Sequence, residues 1–175
     1  MSVVRLLNKL EAEDLRKWSD HDDIRLQQYN YSSMDQMDIA YWFSLKQRRF
    51  SRKIFGVFSD SDELIGFVTI KRINRILKSV FIGVAFNPSF INCGHGTEAI
   101  RTVVKYVFDE LKYVTVFLDV ASFNRRAIRC YEKCGFIKMR SRTEKYEAQE
   151  SIYEIAQSDS AFFIKNHALY TTVNR

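Results

Sequence analysis

Two glycines one residue apart, set between an apolar run and a long amphipathic stretch, are the first feature of this 175-residue sequence with the makings of a ligand site. The segment reads Phe86-Asn87-Pro88-Ser89-Phe90-Ile91-Asn92-Cys93-Gly94-His95-Gly96-Thr97-Glu98-Ala99. Glycine permits φ > 0 and lets a ligand approach the backbone closely. Where such a loop runs straight into a helix, the free N–H groups of the first turn and the helix dipole favour a phosphate group. A P-loop would continue with Lys-Ser/Thr. Here Gly96 is followed by Thr97-Glu98, so nucleoside-triphosphate hydrolysis is disfavoured. Ala99 stands where a dinucleotide fingerprint has its third glycine, and no acid follows at the end of a paired parallel strand. Taken alone, the glycine pair describes a tight turn capping a helix equally well.

Charge supports the anion reading. Leu64 to Thr97 holds no Asp or Glu, yet it carries Lys71, Arg72, Arg75 and Lys78. Phe123 to Lys145 holds eight bases (Arg125, Arg126, Arg129, Lys133, Lys138, Arg140, Arg142, Lys145) against Glu132 and Glu144. Glu11 to Asp38 is the reverse, with eight acids against Arg16, Lys17 and Arg25. The net charge of +6 is therefore the remainder of an acidic front and a basic rear. Solvated helix faces would also produce such clusters.

The elements around the loop follow from periodicity. Ser2 to Leu7 is expected as a strand and Glu11 to Trp18 as a helix, acids early and bases late. Ser33 is expected to cap a helix over 34–48. Lys53 to Phe58 and Leu64 to Ile73 make a hairpin around Ser59-Asp60-Ser61-Asp62. Leu77 to Phe86 is a third, nearly apolar strand. Thr97 to Leu111 carries apolar residues at three- and four-residue spacing, an amphipathic helix. Tyr113 to Val120 is a β-branched strand, and Asn124 to Cys134 a helix that Asn124 can cap and Gly135 can end. Phe136 to Met139 and Ser160 to Lys165 read as further strands. No repeat or linker divides residues 1–175. One α/β (α+β) domain is expected, with a mixed, mostly antiparallel central sheet flanked by helices.

The second informative segment is Asp119-Val120-Ala121-Ser122-Phe123-Asn124-Arg125-Arg126-Ala127-Ile128-Arg129-Cys130-Tyr131-Glu132-Lys133-Cys134-Gly135-Phe136. Gly94-His95-Gly96-Thr97-Glu98-Ala99 together with Asn124-x-x-Ala127-x-x-x-Tyr131-x-x-x-Gly135-Phe136 resembles the GNAT superfamily of acyl-CoA-dependent N-acetyltransferases. Within it, the chain looks most like the branch acting on ribosomal-protein N-termini and spermidine. Two motifs in order, with a helix and a strand between them, are far more specific than either alone. The resemblance implies acetyl-CoA as co-substrate, with Val84, Ala85 and Phe86 along its pantetheine arm. It also implies Asn92, Cys93, Gly94, His95, Gly96 and Thr97 as backbone donors to the pyrophosphate, Asn124 as the residue that hydrogen-bonds the pantetheine or nearby backbone, and Ala127 as a further cofactor-binding residue. Tyr131 resembles the family's general acid. Asp119 lies where the ribosomal-protein branch has a glutamate base. Alternation along Val116, Leu118 and Val120 puts Asp119 on the other face of its strand. The acceptor implied is a primary amine, either a protein N-terminus or a small molecule. It is expected to enter beside the acidic N-terminal helices. Two departures stand out. Ile91 occupies the place of the family's usual Arg or Gln, and Val80 that of the polyamine branch's glutamate, which makes a polyamine acceptor less expected.

Other readings are narrower. A protein that binds acetyl-CoA without turnover fits the same residues. A nucleic-acid module fits the bases, but no helix-turn-helix, ribonucleoprotein aromatic motif or zinc finger accompanies them. Cys93, Cys130 and Cys134 are an odd number without framework spacing, which points to reduced thiols, a cytoplasmic protein and no metal site. No apolar run reaches the ~18 residues of a membrane span. The resemblance leaves room for a homodimer.

Overall fold

Ala12, Leu15 and Trp18 follow one another at three-residue spacing, and all three are buried. That spacing explains the first departure from expectation in the computed structural model. It describes residues 2–47, 51–74, 76, 78–142 and 160–166. The expected features at Arg48, Arg75, Leu77, Glu144 and Lys145 lie outside them. Only Lys9–Ala12 is α-helical (α1), closed by a reciprocal Asn8–Glu11 capping box. Glu13–Lys17 tightens into a 3-10 helix. Three residues per turn stack the apolar positions in a single row. Trp18 ends that row, donating its indole N–H to the Leu64 carbonyl at 2.7 Å and stacking on Phe67.

A second 3-10 helix spans Ile24–Tyr29, and α2 spans Gln36–Lys46. The cap of α2 is Asp35, in a box with Asp38, and not Ser33. Two acids at the first turn suit the helix dipole better than one hydroxyl two residues earlier.

The strands are β1 Val3–Leu6, β2 Arg52–Phe58, β3 Leu64–Asn74, β4 Ser79–Phe86, β5 Thr115–Ala121, β6 Ile137–Arg142 and β7 Ser160–Asn166. They form one mixed sheet in the order β1-β2-β3-β4-β5-β7-β6. β1 to β4 are antiparallel neighbours, and β7 inserts antiparallel between β5 and β6. The parallel pair is β4–β5. Its register covers only Ser79–Thr115, Val80–Val116 and Phe81–Phe117. Beyond Phe81 the two strands part, and the sheet opens between Ile82–Phe86 and Leu118–Ala121.

Helix α3 (His95–Asp109) and helix α4 (Arg125–Lys133) cover one face. There Val68, Ile70, Val80 and Ile82 pack against Ala99, Ile100, Val103, Val104 and Val107. The other face carries α1, α2 and the 3-10 segments. Ile54, Leu64, Phe67 and Ala85 pack there with Leu15, Trp18, Tyr31 and Ile39. Alternate residues of β2, β3 and β4 thus serve two separate cores, as the period of a strand requires. Among the described residues no helix is long and apolar enough to cross a membrane.

Candidate active site

The glycine pair does more than precede α3. Gly94 is its N-cap at φ 86°, and His95 and Gly96 already belong to its first turn. The helix therefore begins two residues earlier than periodicity suggests. Asn92 is also left-handed, at φ 66°, a region Asn tolerates better than most residues. The Gly94 carbonyl takes the amides of Thr97 (3.0 Å) and Glu98 (3.2 Å). The Thr97 N–H therefore turns inward, and the outward donors of this turn are the earlier amides, which have no intrahelical acceptor.

The parting of β4 from β5, the start of α3 and the inner side of α4 enclose one cleft of about 710 Å³. Val84, Ala85, Phe86, Asn92, Cys93, Gly94, His95, Gly96, Thr97, Asp119, Asn124, Ala127 and Tyr131 all line it. Asn124 caps α4, its side-chain oxygen accepting the Ala127 N–H at 3.2 Å. This lets β5 turn directly into the helix that carries Tyr131. Asp119 is exposed between buried Leu118 and Val120, so the pleat presents its carboxylate to the cleft and not to the core. Tyr131 is 7% exposed and packs edge-on to Phe136. Its phenol is pushed well above its ordinary pKa, first by burial and then by Tyr29, Cys130 and Asp119. It stays protonated through the neutral range, the state a proton donor needs.

On α4, Cys130 and Cys134 lie one turn apart beside Thr97. The Cys130 sulfur is 3.3 Å from the Thr97 hydroxyl, and Cys134 lies 3.6 Å from the Thr97 carbonyl. The Cys134 hydrogen bond, with help from Thr97, Lys133 and Arg126, pulls the Cys130 thiol below its ordinary value against the effect of burial. Arg126 also faces the cleft, and its Nη1 is buried without a hydrogen-bond partner. A buried guanidinium nitrogen of this kind calls for an anion.

Sequence reading missed the wall formed by residues 19–31. Buried Asn87, just after β4, accepts from the Ser19 hydroxyl (2.9 Å) and the Ser89 amide (3.1 Å). His21 donates its amide to Asn30 (2.8 Å), closing the loop. His21, Arg25, Tyr29 and Tyr31 thereby reach the cleft, and Lys46 of α2 joins them. Arg25 lies over the Phe123 ring at 4.0 Å and pairs with Asp23. Burial, and after it Arg126, lowers the His21 pKa, which keeps the imidazole neutral. No motif marks these positions, since packing alone brings them in. The acidic front supplies this wall but not its carboxylates: no acid between Glu11 and Asp38 lines the cleft itself, where Asp119 is the single carboxylate among the described residues, and Asp23 stands behind the wall on Arg25. No three of His, Cys, Asp and Glu gather as metal ligands among the described residues.

Residues 4–137 match the family described as an acetyltransferase (GNAT) domain. Over 86 residues the chain is 41% identical to a probable N-acetyltransferase, YjcK, of Bacillus subtilis, and spans 48% of that relative's length. It is 30% identical to the acetyltransferase PseH of Campylobacter jejuni over 131 residues, 74% of this chain and 79% of that one. The crystal structure of spermidine N-acetyltransferase from Vibrio cholerae, in complex with CoA and spermine, superposes with a TM-score of 0.78 at 19% identity. It covers 97% of this chain and 98% of the other.

Proposed function

The chain belongs to the GNAT acetyltransferase family; from that premise we propose that it is an N-acetyltransferase that draws on acetyl-CoA and acetylates a primary amine by direct attack in a ternary complex, with Tyr131 as acid and Asp119 as base. The observation that carries this reading is the meeting of Tyr131, Asp119 and the Gly94–Gly96 turn in one cleft, at the point where β4 and β5 part.

The residues present fit the co-substrate. The outward amides of the Gly94–Gly96 turn and the orphaned Arg126 Nη1 offer donors to phosphate, in place of the polar side chain that Ile91 does not supply. When bound, acetyl-CoA supplies the thioester carbonyl. Three tasks then fall to the protein. An alkylammonium is not a nucleophile, so Asp119 takes its proton, directly or through a water. Backbone N–H groups on the open edge of β4 steady the carbonyl oxygen as it gains charge. As the C–N bond forms and the C–S bond breaks, Tyr131 gives its proton to the departing sulfur and is restored by the second proton that the new amide nitrogen sheds.

Thiol release from acetyl-CoA tests the assignment. Tyr131→Phe and Asp119→Asn should each lower kcat by about 10²- to 10⁴-fold, the usual reach of general acid–base catalysis, while coenzyme A still binds. Turnover within threefold of wild type in either variant removes that residue from its role.

A further inference from the structure

On its α2 side the cleft holds a lysine that phosphate binding at the glycine turn does not use, with Arg52 and Lys71 on neighbouring strands outside the cleft lining. Lys46, in the last turn of α2, lines the cleft beside Thr69 and Gly83, which are register partners on β3 and β4. On β3, Phe67, Thr69 and Lys71 alternate onto one face, the face that Phe67 shares with the α1–α2 core. Arg52 on β2 stands directly opposite Lys71. Like charges directly opposite in a sheet repel. Partial burial of the Lys46 ammonium group, although the residue as a whole is exposed, and then Arg52 and Lys71, lower its pKa. None of the ion pairs among the described residues relieves these three cations. The α2 C-terminus accounts for Lys46, and for Arg52, which donates to the Leu45 carbonyl. It does not account for Lys71 on the sheet. The sequence compounds the imbalance, since Lys46 to Lys53 holds five bases and no acid.

We propose that the acceptor amine carries an anionic group, a carboxylate or a phosphate, and that Lys46, Lys71 and Arg52 bind it on the α1–α2 face of the sheet. This rests on the acetyl-transfer reading above. A polyamine would place cationic charge against this cluster, with Asp119 the single described carboxylate lining the cleft.

A matched series of six-carbon primary amines tests it, the far end being carboxylate, phosphate, hydroxyl or a second amine. With acetyl-CoA, kcat/KM for an anionic member should exceed the hydroxyl compound by roughly 10- to 100-fold, the worth of one or two charge-assisted hydrogen bonds. The diamine should fall below the hydroxyl compound. The carboxylate and phosphate arms show which anion is meant. Lys46→Met combined with Lys71→Met should shrink the anionic advantage to under threefold, through KM and not kcat, with coenzyme A affinity unchanged. Both lysines are exposed, and a melting curve of the double variant checks that it folds. Preference for the diamine, or an anionic advantage that survives the double variant, overturns the proposal and leaves acetyl transfer standing. Failure of every amine to release thiol while coenzyme A raises the melting temperature overturns acetyl transfer, and this inference with it.

Discussion

Cys130 is the thiol whose pKa the packing lowers. Its sulfur sits against Thr97 and Cys134 with Lys133 and Arg126 nearby, and all of these favour the thiolate. Alkylation by iodoacetamide should therefore be half-maximal below the ~8.5 of a free cysteine. Coenzyme A should slow it, because Cys130 lines the same cleft as the glycine turn. Peptide mapping after timed labelling reads both effects. An ordinary pH profile unaffected by coenzyme A counts against the site as drawn. Legibility at this scale divides cleanly. Gly94, Gly96 and Asn124 could be read because a glycine turn before a helix and an Asn at a helix start each follow a local rule of the backbone, whereas Tyr131 stood out only through the motif resemblance. Tyr131 also fills a core position, so burial and site coincide there, and spacing alone would have described packing. His21, Arg25, Tyr29 and Lys46 obey no local rule. They arrive through Trp18 on Leu64 and Asn87 on Ser19, contacts between residues 46 and 68 positions apart.

The first turn of α3 makes the same contrast within one element. Gly94 has open space where a Cβ would be, but its φ is +86°. Gly94→Ala should therefore lose about 1–2 kcal/mol to backbone strain, seen as a melting temperature about 2–8 °C lower for a chain this long. Gly96 has no such conformation, and an added Cβ would meet Cys130 Sγ at 3.5 Å and Phe86 at 3.6 Å, ordinary contacts. Gly96→Ala should keep its melting temperature within about 2 °C and lose affinity for coenzyme A, which calorimetry would measure. Equal melting losses in the two variants would refute the distinction. The strands and the two long helices were legible because their apolar residues keep a period of two or of 3.6. The Glu11–Trp18 segment was not, since a spacing of three fits a helix of either kind. The cap of α2 was misread because Ser33 and Asp35 are both good caps and only the capping box separates them.

At the scale of the whole molecule, coenzyme A should stabilise the fold by mass action. At a hundred times Kd the gain is about 2.7 kcal/mol, a rise of about 5–10 °C in melting temperature. A scan with and without coenzyme A checks it, and an unmoved transition excludes the cleft as its binding place. Charge segregation was visible in the sequence, but its destination was not. The basic α4 borders the cleft, and the acidic front borders it too, through His21, Arg25 and two tyrosines and not through its carboxylates. Nor could order along the chain reveal that β7, the last strand, slips between β5 and β6. The short β4–β5 ladder has one more consequence. After Phe81 the two strands stop pairing with each other and leave two backbone rims facing across a gap inside the sheet. Such a rim is a template for a foreign strand, normally found at the outer margin of a sheet and shielded there. A ligand carrying its own amide groups would act as a removable eighth strand, bridging the two halves for one catalytic cycle at a time. Starved of it, the protein would hold an adhesive seam at its centre, and self-association should rise as coenzyme A is withdrawn.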